Sequence, residues 1–395
     1  MTGTSPGPWL RLTVLAAAGG TLLAVVSGTA HLGTAHRVLA AFAAPPLVAL
    51  LVAAWIAHRR LLRPTVVAGI SFAAAALLTQ RDIHVACASL AFAATLVAAS
   101  RLFRGDPVPR GAWRDYVTLT KPRIMSLLLI TGFGGMILGA RGWPGAGLAA
   151  GAMGGLALAC GGASALNHVL DRDIDPLMGE RTARRPVASG RVPASRALEF
   201  GLALSAASFI LLASAANVLT AALALVGNLF YVLVYTGWLK RSTPQNIVIG
   251  GAAGAVPPLV GWAAATGNLT LPALFLFLIV FFWTPPHFWA LALLIKENYA
   301  AARVPMLPVV RGDRETTRQI VRYSVVLVAI SVLPFLWHSV GVAYLAAALA
   351  LGAVFLGLAL RLRAERTARR AGLLFHYSLL YLALLFAAMA IDPLI

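Results

Sequence analysis

Residues 167–191 concentrate oxygen-bearing and cationic side chains between two long apolar segments. Asn167, Asp171 and Asp175 recur at every fourth position, so on a helix their side chains share one face. Such a face suits a hard cation such as Mg²⁺, which is held by a few carboxylates together with phosphate oxygens. Arginines crowd the same stretch: Arg172, Arg181, Arg184, Arg185 and Arg191. The alternative is a solvated, charge-mixed loop, but the regular spacing and the apolar flanks favour a site for a diphosphate and its metal.

The composition of the chain indicates an integral membrane protein. Of its 395 residues, 60% are hydrophobic and only 11% are charged, whereas a soluble domain carries about 25% charged residues. The net charge of +19 comes from short basic clusters between apolar segments, which is the positive-inside pattern and not a nucleic-acid-binding patch. We therefore expect no nucleic-acid partner. Cys87 and Cys160 lie far apart inside apolar segments, so neither a disulfide framework nor a metal site is expected from them.

Thirteen apolar segments of 17 or more residues are each long enough to cross a bilayer. They cover residues 12–30, 37–57, 64–80, 84–100, 122–140, 145–166, 197–214, 217–238, 246–265, 270–294, 320–338, 342–360 and 373–392. Basic clusters follow every second segment, which predicts a cytoplasmic N-terminus and a cytoplasmic active site in a bacterial inner membrane. The expected fold is an all-α polytopic membrane protein in which a nine-helix bundle is preceded by a four-helix transmembrane bundle.

A polar interruption with two prolines and two glycines, residues 101–121, predicts the boundary between these two bundles. The predicted parts are a four-helix part at 1–104, a linker at 105–121 and a nine-helix domain at 122–395.

Two histidines of the four-helix part, His36 and His84, begin different predicted helices at the same membrane depth. That placement is typical of a bis-histidine haem site in a helical bundle, although histidines near helix ends also simply meet water. The segments HRVLAAFA and IHVACASLAFAATLVAA resemble the histidine-bearing helices of one half of the haem A synthase family. The resemblance implies that His36 and His84 are axial ligands of haem b, and it suggests haem A synthase as a partner. Only one such half is present.

Two further groups of polar residues interrupt the apolar segments of the nine-helix domain. Lys240 and Arg241 are cations suited to a diphosphate, and the prolines at 257 and 258 are expected to bend the next helix around a cavity. His287 lies in an apolar helix beside aromatic residues, where it could contact a large flat ligand, act as an acid or base, or be an ordinary hydrogen-bonded core histidine. Glu297 follows at the inner surface and could complete a second metal site opposite Asp171.

Together these motifs resemble the haem O synthases, the protohaem IX farnesyltransferase branch of the intramembrane prenyltransferase superfamily. The resemblance runs from about residue 115 to the C-terminus and rests on NHVLDRDID, ERTARRP, KRSTPQN, WTPPHFW and PMLP. It implies farnesyl diphosphate and haem b as substrates, a lipid setting, and Mg²⁺ as cofactor. The implied metal ligands are Asn167, Asp171, Asp175 and Glu297. The implied diphosphate-binding cations are Lys121, Arg172, Arg181, Arg185, Lys240 and Arg241. The implied catalytic residues are Asn167, Asp171, Asp175 and His287.

The sequence departs from the superfamily pattern at its second aspartate-rich motif. Where paired aspartates are usual, this chain has Lys296-Glu297-Asn298-Tyr299, which is closer to the haem-specific branch. The motifs leave two other functions open: a prenyltransferase with an aromatic or quinone-precursor acceptor, and a non-catalytic haem transporter. The missing aspartate pair argues against the first. Transporters often carry inverted repeats, and the sequence has no convincing internal repeat.

Overall fold

The computed structural model of the chain describes residues 112–392 continuously, together with helix α1 (Leu62–Leu77) and positions 13, 16–18, 20–21, 45–51, 87, 91 and 94–95. Helix α1 matches one of the four segments predicted in the N-terminal part. His36 and His84 lie outside the described residues, so their assignment as haem ligands stays a prediction.

The continuous part is built of helices joined by short connections. These are α2 (Trp113–Leu119), α3 (Pro122–Ala140), α4 (Ala146–Leu170), α5 (Glu180–Ala183), α6 (Ala194–Ala215), α7 (Val218–Leu229), α8 (Asn246–Gly254), α9 (Val256–Thr266), α10 (Leu271–Leu294), α11 (Lys296–Ala301), α12 (Leu307–Leu336), α13 (Val342–Glu365) and α14 (Ala368–Ile391). Helix α7 continues as a π-helix over Phe230–Leu239 and ends in a short α-helical turn, Lys240–Ser242.

Nine spans of the described chain are long and apolar enough to cross a bilayer. They are α3, α4, α6, α7 with its continuation, α8 with α9, α10, α12, α13 and α14. No strand occurs in the described residues. The predicted all-α, nine-helix membrane domain is confirmed, and the chain is an integral membrane protein.

The bundle packs in two different ways along its length. Around α3, α4, α6 and α9 the core is rich in alanine and glycine, and a Cβ at Gly261 of α9 would overlap the carbonyl oxygen of Gly132 in α3. Around α10, α12, α13 and α14 the core is filled by large side chains such as Trp289, Tyr344 and Phe386. Because lipid offers apolar side chains no gain on burial, close backbone approach and good packing must hold such helices together.

Three departures from a regular helix shape the domain. The expected bend before Pro257 is present as an interruption at Ala255 between α8 and α9, because proline lacks the amide hydrogen that a helix interior needs. Helix α12 begins 13 residues before the predicted start at 320, with a kink at Gly312, whose φ of 73° suits glycine. The π-helix was not predicted.

Within the predicted linker, Trp113–Leu119 is helical, so this part of 105–121 is ordered against the domain.

Candidate active site

Asn167, Asp171 and Asp175 lie together where α4 ends. Asn167 is in the last turn of α4, and backbone hydrogen bonds from Asp171 N to Asn167 O (2.9 Å) and from Asp175 N to Asp171 O (2.9 Å) continue the helical step beyond it. This is why the three side chains stay on one side although the segment after Leu170 is a series of turns. All three are buried, with exposed fractions of 3%, 1% and 0%.

Each of these three side chains is paired with a cation from another part of the chain. Lys121 Nζ lies 2.7 Å from Asn167 Oδ1. Lys240 Nζ lies 2.6 Å from Asp171 Oδ2, and an Arg185 guanidinium nitrogen lies 2.6 Å from Asp175 Oδ1. We call these six residues the carboxylate–cation cluster. Because three cations surround only two carboxylates, the cluster can bind a further negatively charged group.

Two oxygens of the carboxylate–cation cluster have no partner. Asp171 Oδ1 and Asp175 Oδ2 are fully buried and accept no hydrogen bond. Burying a carboxylate oxygen without a partner is costly, so such atoms call for a ligand. Two carboxylate oxygens beside an amide oxygen are a donor set that fits Mg²⁺, which completes its shell with phosphate oxygens and water. The residues present therefore fit the expected metal.

Burial and charge shift the titration of two cluster members. Burial raises the pKa of Asp175, and the neighbouring Arg185 opposes that rise. Burial, together with the positive charge of Arg185, lowers the pKa of Lys121 to about 7, and Asp171 acts in the opposite direction. Both shifts mainly express the cost of holding a charged group away from water.

Of the six predicted diphosphate-binding cations, the structure brings Lys121, Arg185 and Lys240 into the cluster. Arg241 instead makes a bidentate ion pair with Asp173, in which two guanidinium nitrogens lie 2.6 and 2.7 Å from the two carboxylate oxygens. It also donates to the carbonyl oxygen of Leu170. Arg172 is exposed and donates to Val169 O, and Arg181 is exposed. For these last three arginines a diphosphate-binding role stays a prediction.

The expected second metal site is not assembled around Glu297. Its side chain is exposed, and no group of three or more His, Cys, Asp or Glu side chains comes together in the described residues. The reason is geometric: α11 faces the site loop through Asn298, whose Nδ2 donates to Met178 O at 2.9 Å. Consecutive helical residues point about 100° apart, so Glu297 faces elsewhere.

The π-helix supplies site residues that the sequence did not reveal. It carries Thr236, whose hydroxyl accepts from Asn167 Nδ2 at 3.1 Å, and it ends at Leu239, directly before Lys240. It also stacks Tyr231 on Tyr235, with ring centroids 5.5 Å apart. A π-helix is frequently found at functional sites, but its wider turn has no signature in a single sequence. From composition alone, only the tyrosines could have been recognised as candidate site residues.

His168, another residue not predicted for the site, follows Asn167 directly. It is 1% exposed, and neither ring nitrogen has a hydrogen-bond partner. In the sequence, only its position next to Asn167 could have indicated that it belongs to the site.

His287 lies deeper in the bundle, in the aromatic half. The residue is 6% exposed, and its ring stacks on Trp283 (centroids 4.4 Å apart) and on Phe375 (4.8 Å). Nδ1 lies 2.6 Å from Ser378 Oγ on α14. The residue is seven positions before the end of α10 at Leu294, or about 10 Å from that end at 1.5 Å per residue.

The fold and the site define a class: a polytopic helical membrane protein with a buried carboxylate–cation cluster at the end of an apolar bundle. The sequence profile of the UbiA prenyltransferase family matches residues 128–387. The chain belongs to this family, as its motifs suggested.

Relatives and solved structures agree with this membership. The chain is 55% identical over 295 residues to a "Protoheme IX farnesyltransferase" of Thermus thermophilus, an alignment covering 73% of this chain and 48% of that relative. It therefore spans about half the length of the Thermus relative. It is 54% identical over 281 residues to a protein of the same name from Symbiobacterium thermophilum, covering 71% of this chain and 94% of the relative.

The fold is similar to that of solved UbiA-type structures. A digeranylgeranylglyceryl phosphate synthase superimposes with a TM-score of 0.60 at 18% identity, covering 71% of this chain and 98% of that one. A UbiA homologue from Archaeoglobus fulgidus bound to GPP and Mg²⁺ gives a TM-score of 0.53 at 17% identity, covering 70% and 99%. These likenesses confirm the fold.

Proposed function

We propose that this protein transfers the farnesyl group of farnesyl diphosphate to a vinyl group of haem b and so makes haem O. The observation that carries the proposal is the carboxylate–cation cluster, in which two buried carboxylate oxygens lack partners among three cations. The names of relatives that are more than half identical to the chain support haem b as the acceptor.

The metal site of this proposal consists of Asp171 and Asp175, with Asn167 beside them. These residues would hold Mg²⁺, and a homologue of the same fold is bound to GPP and Mg²⁺. A bound Mg²⁺ neutralises and polarises the diphosphate, which makes it a better leaving group.

The cations of the cluster then have a definite task. Lys240 and Arg185 are held at the carboxylates, and Lys121 is held at the Asn167 amide oxygen, until the diphosphate arrives. All three turn to its oxygens as negative charge builds on the departing group. The bond from farnesyl C1 to the diphosphate oxygen breaks, and the electron pair leaves with the oxygen. The stacked rings of Tyr231 and Tyr235 can shield the allylic cation and stabilise it through their π faces.

The acceptor completes the reaction without an oxidant or reductant. The outer carbon of the haem vinyl group forms a bond to farnesyl C1, which leaves a cation on the inner carbon. Water adds to that carbon and loses a proton, giving the hydroxyethylfarnesyl side chain. The overall balance is haem b, farnesyl diphosphate and water in, and haem O, diphosphate and a proton out.

The chemistry of the substrates and the distribution of basic residues support a location for the site. A fifteen-carbon chain and a porphyrin both partition into lipid, and the alternating basic clusters support a bacterial inner membrane with the site on the cytoplasmic side.

The N-terminal part is proposed to bind haem b through His36 and His84, and to work beside haem A synthase, which uses haem O. The support is the resemblance of their segments to one half of that family. Replacing both histidines by alanine in the full chain should lower the haem bound per protein by one. Unchanged haem content would refute the ligand assignment.

The acceptor is tested by reconstituting the full chain in liposomes with farnesyl diphosphate, Mg²⁺ and either haem b or 4-hydroxybenzoate. Mass spectrometry should find haem O in the first reaction and no prenylated product in the second. Prenylated 4-hydroxybenzoate without haem O would place the acceptor in the quinone-precursor class. Haem retained without any prenylated product would favour the haem transporter.

A further inference from the structure

Ser378 makes two short contacts that together determine where a proton of His287 lies. The Ser378 hydroxyl donates to the carbonyl oxygen of Phe375 at 2.6 Å, one turn earlier in α14. The same hydroxyl oxygen lies 2.6 Å from Nδ1 of His287. Two electronegative atoms this close repel each other unless a proton lies between them.

Two contacts need two protons, and the serine hydroxyl has only one. A carbonyl oxygen carries no proton, so the hydroxyl proton lies on the Phe375 side. The proton between Ser378 and His287 must then belong to Nδ1. In the neutral imidazole this leaves Nε2 unprotonated, with its electron pair free.

Nε2 of His287 has no hydrogen-bond partner among the described residues. Unlike the ring nitrogens of His168, it is not fully enclosed either. The ring cannot turn away, because Trp283 and Phe375 stack on its two faces with interplanar angles of 16° and 23°. Trp283 Nε1 also donates to the backbone oxygen of Ser378 at 2.8 Å, which ties α10 to α14 at this level.

We propose that Ser378 is a positioning residue that holds His287 as the Nδ1–H tautomer, so that Nε2 binds the iron of the porphyrin acceptor. The inference rests on the proposed function, since it assigns the residue that seats its acceptor. A metal-ligating histidine commonly donates its other ring N–H to a neighbouring acceptor, which fixes the tautomer. Here that acceptor is the Ser378 hydroxyl.

The surroundings of His287 favour an iron ligand over a general base. A base must become a cation, and catalytic imidazoliums are stabilised by a carboxylate at Nδ1. His287 has a serine hydroxyl there, and no charged side chain of the described residues interacts with it. A neutral nitrogen in an apolar, aromatic-lined region is well suited to bind a metalloporphyrin, whose flat ring also stacks on aromatic side chains.

The first test measures how iron binds. The full chain carrying His36→Ala and His84→Ala, which removes any haem at those positions, is titrated with haem b in detergent. We expect the iron–histidine stretching band of the ferrous complex in resonance Raman spectra, and its loss in His287→Ala. Ser378→Ala should weaken haem binding about 10- to 100-fold, the usual range for an outer-shell partner. Ser378→Thr keeps the hydroxyl and should restore most of the affinity.

Ser324→Ala is the matched control. Ser324 is equally buried and donates to the carbonyl oxygen of Ile320 at 2.7 Å, but it has no histidine partner. Its replacement should leave the haem titration and the band unchanged. A histidine band that persists in His287→Ala, or equal haem affinity in Ser378→Ala and the control, would overturn the inference.

The second test separates this inference from the proposed function. Haem b and iron-free protoporphyrin IX are compared as farnesyl acceptors, and the preference for haem should fall at least tenfold in Ser378→Ala relative to Ser324→Ala. Haem O formed without a histidine band would overturn the iron ligand and leave the proposed function standing. A histidine band without any haem O would overturn the proposed function while the ligand assignment stands.

Discussion

Lys240 Nζ lies 2.6 Å from one carboxylate oxygen of Asp171, while the other oxygen of the same carboxylate is buried without a partner. The lysine thus neutralises the carboxylate from one side and leaves the other side open for a metal. Because the pair is buried, removing one member leaves an uncompensated charge and not merely a lost contact.

Replacing Lys240 by methionine should therefore destabilise the protein by about 3–5 kcal/mol, the usual cost of breaking a buried pair. Mg²⁺ can take over the neutralisation of Asp171, so it should raise the midpoint of thermal unfolding more in Lys240→Met than in the unchanged protein. Thermal unfolding in detergent with Mg²⁺ or EDTA measures both. An equal response to Mg²⁺ in the two proteins would contradict the shared carboxylate.

Arg185 and Arg241 should differ in their effect on the binding of the donor substrate. Arg185 pairs with Asp175 inside the cluster, whereas Arg241 is engaged by Asp173 near the surface. A hydrogen bond to a charged group is worth about 1.5–3 kcal/mol, so Arg185→Gln should raise KM for farnesyl diphosphate roughly tenfold or more. Arg241→Gln should change it by less than about threefold, since an exposed ion pair contributes about 1 kcal/mol or less. The reverse order would show that Arg241 leaves Asp173 to bind the diphosphate.

Thr236 is expected to orient Asn167 through the hydroxyl that accepts from Nδ2. Thr236→Val keeps the shape and removes the acceptor, so kcat/KM should fall roughly fivefold, corresponding to about 1 kcal/mol. Thr236→Ser retains the hydroxyl and should recover most of the activity. If valine and serine variants behaved alike, the π-helix would contribute packing and not orientation.

The close approach of α3 and α9 can be tested with two glycines of the same helical span. A Cβ at Gly261 would overlap the Gly132 carbonyl oxygen, so Gly261→Ala should force the helices apart and cost about 3 kcal/mol or more. Gly254 has no atom within 4 Å of the Cβ position, so Gly254→Ala should be neutral or stabilise by up to about 1 kcal/mol. Thermal unfolding of both variants is the measurement. Equal stability would contradict the packing.

Local patterns were enough to predict the nine spans and the shared face of Asn167, Asp171 and Asp175. Apolar length and a four-residue step are properties of contiguous sequence, and they survive even where the segment after α4 is made of turns. The predicted start of α12 was late because charged residues precede position 320, yet these residues belong to the same helix, which begins at Leu307.

What the sequence could not predict are contacts between distant parts of the chain. Lys121 meets Asn167 across 46 positions, and His287 meets Ser378 across 91. A buried serine in an apolar helix has no sequence signal that separates a positioning role from ordinary hydrogen bonding to its own helix. Glu297 was predicted to be a metal ligand from its neighbours in the sequence. The direction of its side chain depends on how α11 packs against the rest of the domain, which the sequence does not reveal.

Comparing two aspartates of the same segment tests the metal and diphosphate site most directly. Asp171 is buried in the carboxylate–cation cluster, and Asp173 is exposed and paired with Arg241. Asp171→Asn and Asp173→Asn are assayed in liposomes with haem b, farnesyl diphosphate and Mg²⁺, with haem O quantified by mass spectrometry. We predict that haem O falls at least a hundredfold in Asp171→Asn and stays near the unchanged level in Asp173→Asn. Haem O formed normally by Asp171→Asn would contradict the assignment of the metal and diphosphate site.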